Sequence, residues 1–248
     1  MRGIRPSTVM KMLDPLRNER FDKGTPDVLP QSILIPFATY SPWLTDAAFI
    51  EDDARVKEQS LVDIYRRYAL VQLVRQTTAK VPGDILEVGV FQGGTGCLMA
   101  MTAQRVGSDA KIFLCDTYEG VVKAGENDPG WKNGEFRNTS VAIVEELIAR
   151  TGVKNAKVLR GVFPEDTGSM LSDRRFSLCH IDVDVYLSAK DVYEWVWPRL
   201  SVGGAVVFDD YGFRGTPGVS RLVNDLSILP NRMVLYNLAG HAVMIKTG

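Results

Sequence analysis

The sequence predicts an α/β domain on a mostly parallel sheet, and three observations carry that expectation. Five short apolar runs have the length of buried strands. Apolar residues at helical spacing fill the gaps between several of these runs, so strand, helix and strand alternate with right-handed crossovers. A glycine-rich turn and two acidic clusters stand where three of the runs end, which is the functional edge of such a sheet.

Residues 1 to about 55 hold six of the twelve prolines (Pro6, Pro15, Pro26, Pro30, Pro36, Pro42), which should interrupt any long element. They are expected to form an extension, separate from a domain over 56–248, that wraps the domain, covers a substrate or contacts a neighbouring subunit. The aromatics Phe37, Tyr40, Trp43 and Phe49 suit either a contact surface in a homo-oligomer or a core. From Val56 to Lys80 the positions Leu61, Ile64, Tyr65, Tyr68, Val71 and Val74 recur at helical spacing, so a helix should precede the first strand.

Strands are predicted at Asp84 to Val90, Lys111 to Asp116, Ala156 to Arg160, Phe176 to Asp182 and Ala205 to Asp209. Helices are read from Val141, Val144, Leu147 and Ile148, from Ala189, Val192, Tyr193 and Val196, and from Val219, Leu222, Val223 and Leu226. The runs Arg232 to Leu238 and Ala242 to Lys246 are separated only by Ala239-Gly240-His241, too short for a crossover helix, so an antiparallel hairpin should close one side of the sheet.

The chain has 248 residues and 45% hydrophobic content, enough for a sizeable core. With 29 basic and 30 acidic residues its net charge is -1, which offers no field to attract nucleic acid or anionic lipid. No apolar run approaches the roughly 20 residues of a membrane span, and Met1 to Pro6 lack a signal-peptide core, so a cytoplasmic protein is expected. Cys97, Cys115 and Cys179 each lie in apolar segments and read as small buried hydrophobes. His180 shares strand parity with Asp182 and Asp184, which fits a packed strand histidine or one supporting the acidic residues.

The first strand runs into Glu87-Val88-Gly89-Val90-Phe91-Gln92-Gly93-Gly94, a turn where backbone can approach a ligand at a helix start. Phe91 stands where a dinucleotide fingerprint needs glycine, and no Gly-Lys-Ser/Thr follows, so neither that motif nor a P-loop is present. The acidic-x-Gly-x-x-x-Gly pattern resembles the first motif of Rossmann-like class I methyltransferases that use S-adenosylmethionine. Asp116 at the end of the second strand and Trp197-Pro198-Arg199-Leu200-Ser201-Val202-Gly203-Gly204 before the fifth, a Pro-x-Leu-x-x-Gly-Gly turn, strengthen that likeness. It implies a seven-stranded sheet with one antiparallel strand and helices on both faces.

Ile181-Asp182-Val183-Asp184-Val185-Tyr186 and Asp209-Asp210-Tyr211 each close an apolar run. The 27 positions between Asp182 and Asp209 suffice for one crossover helix and a return strand, so four carboxylates should meet at one rim. Like charges do not gather without a shared cation, and oxygen donors suit a hard divalent metal. Solvated loops or turn caps are the plain alternative for either pair alone.

The glycine loop, Asp116-Thr117-Tyr118-Glu119-Gly120, Arg160-Gly161-Val162-Phe163 and both acidic motifs, in that order, resemble the macrocin O-methyltransferase family over residues 56 to 246. These bacterial enzymes methylate hydroxyls on the deoxysugars of natural-product glycosides in antibiotic biosynthesis, using S-adenosylmethionine and Mg2+. The resemblance implies that Asp182, Asp209 and Asp210 hold the metal and that Asp184 is the general base. It also implies a donor site from Glu87, Gly89, Gln92, Gly93, Gly94, Asp116, Thr117, Tyr118, Ser140, Gly161, Phe163 and Asp182. Phe163 could equally be core, and Ser140 could simply cap its helix. The segment Glu119 to Asn138 around Trp131 reads as a lid or a plain connection. The partner is then a small glycoside or diol. Two other readings compete: a catechol-type methyltransferase, which would bring an aromatic clamp and a basic residue to the metal, and an inactive binding module.

Overall fold

Ile85 and Leu86, adjacent in the first sheet strand, enter two different apolar cores, and that alternation sets the architecture. The computed structural model describes residues 6–16, 20–22, 29–36 and 38–248. The chain divides into two units, Met1–Pro42 and Trp43–Gly248. In the first, a helix spans Pro6–Leu13, and Arg20–Asp22 pairs antiparallel with Gln31–Ser32. Phe37 lies outside the described residues.

The second unit begins earlier than the expected boundary at residue 55. Asp46 caps helix α1 (Ala47–Val56), accepting from the backbone N–H of Phe49 at 3.1 Å, and Phe49 and Val56 are buried in the core with Trp43 packed against it. Residues 43–56 are therefore core-forming, because an N-cap and two apolar positions on one face outweigh nearby prolines. Helix α2 spans Ile64–Lys80, shorter than expected, since Asp63 accepts from the N–H groups of Tyr65 and Arg66 and so starts the helix there.

The sheet contains β1 (Asp84–Val88), β2 (Ile112–Asp116), β3 (Ala156–Arg160), β4 (Phe176–Ile181), β5 (Leu200–Phe208), β6 (Arg232–Asn237) and β7 (His241–Lys246). Their order is β3-β2-β1-β4-β5-β7-β6, and β7 alone runs antiparallel to its neighbours, as the short connection requires. Strand β5 begins before the predicted Ala205. The stretch Leu200 to Gly204, expected as a turn, is strand with an irregular register against β4, where Gly203 adopts φ +85°.

Helices α1, α2, α3 (Gly94–Arg105) and α4 (Val141–Thr151) cover one face through residues such as Leu70, Val74, Leu98 and Leu147. Helices α5 (Tyr186–Val196) and α6 (Pro217–Ser227) cover the other through Val192, Val219 and Leu222. Strand β4 is buried along its whole length and the three cysteines are buried and unpaired. Strand order reverses between β1 and β4, which opens a crevice beyond the carboxyl ends of those two strands. Among the described residues no helix is long and apolar enough to cross a membrane.

Candidate functional site

The chain leaves β1 and β4 side by side, and both turns enter the crevice. The N–H of Asp182 donates to Val88 O at 2.9 Å, and a Cβ at Gly89 would lie 1.6 Å from Asp182 O. Only glycine fits there, and its φ of +86° is one that glycine adopts without strain. Above this crossing lies a cavity of about 570 Å³ lined by Gly89, Asp116, Thr117, Gly161, Phe163, Asp182, Asp184, Asp209 and Asp210, among others.

Its two ends differ in character. At one, Asp116 Oδ2 accepts from the N–H groups of Val90 (2.7 Å) and Phe91 (2.9 Å), and Oδ1 from Tyr118 N–H (2.7 Å), so this carboxylate shapes the glycine loop while facing the cavity. Gly161 N–H donates to Asp116 O, which brings the β3 turn alongside. At the other end, Asp182, Asp209 and Asp210 each offer a carboxylate oxygen, all within 4.8 Å of one another. Asp184, in the left-handed region at φ +64°, donates its backbone N–H to Asp210 Oδ2 at 2.9 Å.

The electrostatics of that acidic end divide it in two. Burial, with repulsion from Asp209 and Asp210, pushes the Asp182 carboxyl well above its usual range, and burial with Asp184 and Asp209 does the same to Asp210. Burial, then Asp209 and Glu135, raises Asp184 to about 7. Asp209 goes the other way: burial alone would raise it, but hydrogen bonds from His180 and His241 hold it well below the carboxylate range. His241 Nε2 donates to Asp209 Oδ1 at 2.7 Å and His180 Nε2 to the same oxygen at 3.3 Å, while Arg66 Nη1 donates to Oδ2. His180 Nδ1 donates to Glu87 Oε1 at 2.9 Å. Burial would lower the His180 imidazole, but the bonds to Asp209 and Glu87 outweigh it and raise it to about 10. Burial lowers His241.

These residues suit a hard divalent cation. Burial and then mutual repulsion lift two of the carboxyls, which a bound cation would relieve, and three oxygen donors in reach of one another match magnesium chemistry. The second cluster, His180, Asp209 and His241, is sealed from solvent, and the ring nitrogens facing Asp209 are spent on that carboxylate.

Several expected residues lie outside the cavity wall. Glu87 is fully buried against His180. Gln92 Nε2 donates to Asn138 O at 2.8 Å, a Cβ at Gly93 would press Val144 at 3.0 Å, and Gly94 packs against Gln59 and Ser60. The Tyr118 side chain is buried, and the Ser140 hydroxyl accepts from Ile143 N–H at 3.2 Å, which is the cap. Phe163 lines the cavity and also packs edge-on to Trp195 at 4.9 Å.

The segment 117–140 lines the cavity through Trp131 and Phe136 and is tied to neighbouring elements. Trp131 Nε1 donates to Gly215 O at 2.7 Å, Phe136 meets both Trp131 (5.7 Å) and Phe91 (6.3 Å), and buried Asp128 accepts from the N–H of Tyr186 at 2.9 Å. Arg66, Asp128 and His241 were not legible as site residues. For His241 one signal existed: in the hairpin register Ala242 pairs with Phe208, which sets His241 next to Asp209.

Fold and cavity define the class: a Rossmann-like class I O-methyltransferase architecture. The solved O-methyltransferase NovP superposes with a TM-score of 0.65 at 22% identity, over 77% of this chain and 83% of that one. The chain belongs to the macrocin O-methyltransferase (TylF) family, whose model matches residues 57–227. It is 30% identical over 166 residues to the 8-demethyl-8-(2,3-dimethoxy-alpha-L-rhamnosyl)-tetracenomycin-C 4'-O-methyltransferase of Streptomyces olivaceus, a match covering 59% of this chain and 63% of that enzyme. It is 28% identical over 188 residues to the mycinamicin III 3''-O-methyltransferase of Micromonospora griseorubida, covering 68% of this chain and 73% of that enzyme.

Proposed function

We propose that this chain transfers the methyl group of S-adenosylmethionine to one hydroxyl of a vicinal diol on a deoxysugar, the acceptor being a secondary-metabolite glycoside, with Mg2+ required. The observation that carries this is the shared cavity: the acidic end with Asp184 faces the glycine loop and Asp116 across about 570 Å³. The sugar follows from the relative named for a rhamnosyl acceptor.

The turn at Gly89 to Phe91, Asp116 and Gly161 would seat the donor, with one lone pair left on Asp116 Oδ1 for a ribose hydroxyl. Asp182, Asp209 and Asp210 would hold the divalent cation. What such an ion supplies is Lewis acidity, which brings an alcohol within reach of a carboxylate base. Asp184, raised to about 7 chiefly by burial, would take the hydroxyl proton as the acceptor oxygen bonds to the methyl carbon and S-adenosylhomocysteine leaves. The rest is positioning, since reacting atoms held about 3 Å apart gain much of the entropic part of the rate. Phe91, Trp131, Phe136 and Phe213 wall the cavity and exclude water from the reaction.

A second reading has a specific observation in its favour. A catechol-type acceptor calls for aromatic walls and a basic residue beside the acids, and Phe213, Trp131 and Arg66 supply both. Production of S-adenosylhomocysteine across rhamnosylated glycosides, free sugars and catechols, with Mg2+ or excess chelator, separates the readings. Glycoside turnover that stops with chelator is expected. Full activity in chelator refutes the metal, preference for catechols refutes the sugar, and no turnover of any diol refutes the enzyme reading.

A further inference from the structure

Arg66 brings a permanent positive charge into the acidic end of the cavity, and the expected site of Mg2+, Asp182, Asp209 and Asp210, lies within its reach. The arginine stands in the first turn of α2 with 9% of its surface exposed. Asp63, the cap of that helix, binds it twice, through its backbone N–H (3.1 Å) and through Nε (2.7 Å). The Phe213 ring lies against the guanidinium, 4.9 Å from its central carbon. Nη1 then donates to Asp209 Oδ2.

The other oxygen of Asp209 is committed. Oδ1 receives His241 at 2.7 Å and His180 at 3.3 Å, both buried without exposure. A cation that uses Asp209 together with Asp182 and Asp210 has to approach through Oδ2, where the guanidinium rests. Two cations sharing one buried oxygen repel strongly, because the cavity wall screens them far less than water would. Arginine does not lose its proton in this setting, so it cannot yield by neutralising.

Resting on the metal reading above, we propose that Arg66 is a resident counter-ion that competes with the divalent cation for Asp209 Oδ2. In the metal-free chain it offsets one carboxylate of the cluster and keeps the site folded. Loading with metal requires it to give up that oxygen while Asp63 and Phe213 retain it in the cavity wall. The affinity of the site for metal is thereby set below what its carboxylates alone would give.

Titration of the full chain with Mn2+, read by the electron spin resonance of the free ion, tests this with no dependence on turnover. Arg66→Met removes the charge and keeps the apolar stem, and it is expected to bind Mn2+ at least about tenfold more tightly than the wild type. Arg66→Lys, which keeps the charge, should stay near wild type. Metal-free Arg66→Met should also melt below the wild type and gain more from Mn2+ than the wild type does. Equal or weaker affinity in a folded Arg66→Met chain overturns the proposal. Should that chain fail to fold, Phe213→Leu decides: with the ring gone the guanidinium is held less firmly, so affinity should rise severalfold, and an unchanged value overturns the proposal. Absence of Mn2+ binding in every chain overturns the metal reading and the competition together, whereas equal binding in all overturns the competition alone.

Discussion

Asp182 and Asp209 carry the same expected role, yet their surroundings assign them unequal weights in stability. The perturbation is a pair of isosteric changes, Asp182→Asn and Asp209→Asn, each studied without metal. The Asp209 carboxylate is 3% exposed and accepts from Arg66, His180 and His241. Neutralising it leaves the Arg66 and His180 cations buried with their shared partner gone and turns an amide N–H toward a donor. Breaking a buried ion pair from one side costs about 3–5 kcal/mol. Among the described residues none hydrogen-bonds the Asp182 carboxylate, and burial, Asp209 and Asp210 lift it against a smaller opposing pull from His180, so replacing it by an amide relieves repulsion and should change stability by less than about 1 kcal/mol. For a unit of this size about 1 kcal/mol moves the melting temperature by about 2–4 °C, so Asp209→Asn should melt at least about 6 °C lower and Asp182→Asn within a few degrees of wild type. Calorimetry in excess chelator, with urea unfolding followed by circular dichroism, measures both. Equal destabilisation by the two changes would refute the division of the cluster into a supported and an unsupported half.

Three other outcomes are expected. Asp184→Asn should keep donor and Mg2+ binding by calorimetry and lose about 10²–10⁴-fold in turnover, since only its proton-accepting role is removed; equal loss of metal affinity in Asp184→Asn and Asp209→Asn would contradict this. Gly89→Ala forces a methyl group to within 1.6 Å of Asp182 O at a φ of +86°, so it should cost more than about 2 kcal/mol and weaken S-adenosylhomocysteine binding, and a wild-type melting curve would speak against the crossing. Asp46 is held below its ordinary 3.8 chiefly by the hydrogen bond from Arg75, so its stabilisation is complete at neutral pH and disappears as pH falls below about 3.8 through the folded value. Asp46→Asn keeps the cap and removes the charge; its urea midpoint should trail wild type at pH 7 and converge with it in strong acid, and a gap that persists there would refute the assignment.

Most of the sheet was legible because parallel strands buried on both faces leave unbroken apolar runs, and β4 is one such run. The helix starts at Asp46 and Asp63 were missed for a local reason: each depends on one carboxylate turning back to its own backbone, which apolar spacing does not register. The acidic residues could be brought together from strand ends alone. Arg66 could not, because its place in the cavity depends on how α2 lies against the sheet edge rather than on any pattern around residue 66. Ser140 shows the converse: a residue type that suits two roles, whose hydroxyl is spent on the helix it begins.

The pairing of His241 with Asp209 bears on how the protein comes into being. Among the site residues described, His241 is the last in the chain, 32 residues beyond the carboxylate it steadies. During synthesis from the amino end, the glycine loop, Asp116 and Asp182 emerge while Asp209 still lacks one of its two imidazoles. The antiparallel strand that closes the sheet therefore also completes the charge balance of the site. A nascent chain halted before β7 would have a donor pocket taking shape beside an acidic cluster that is not yet settled, which makes the hairpin the final assembly step of the cavity as well as of the fold.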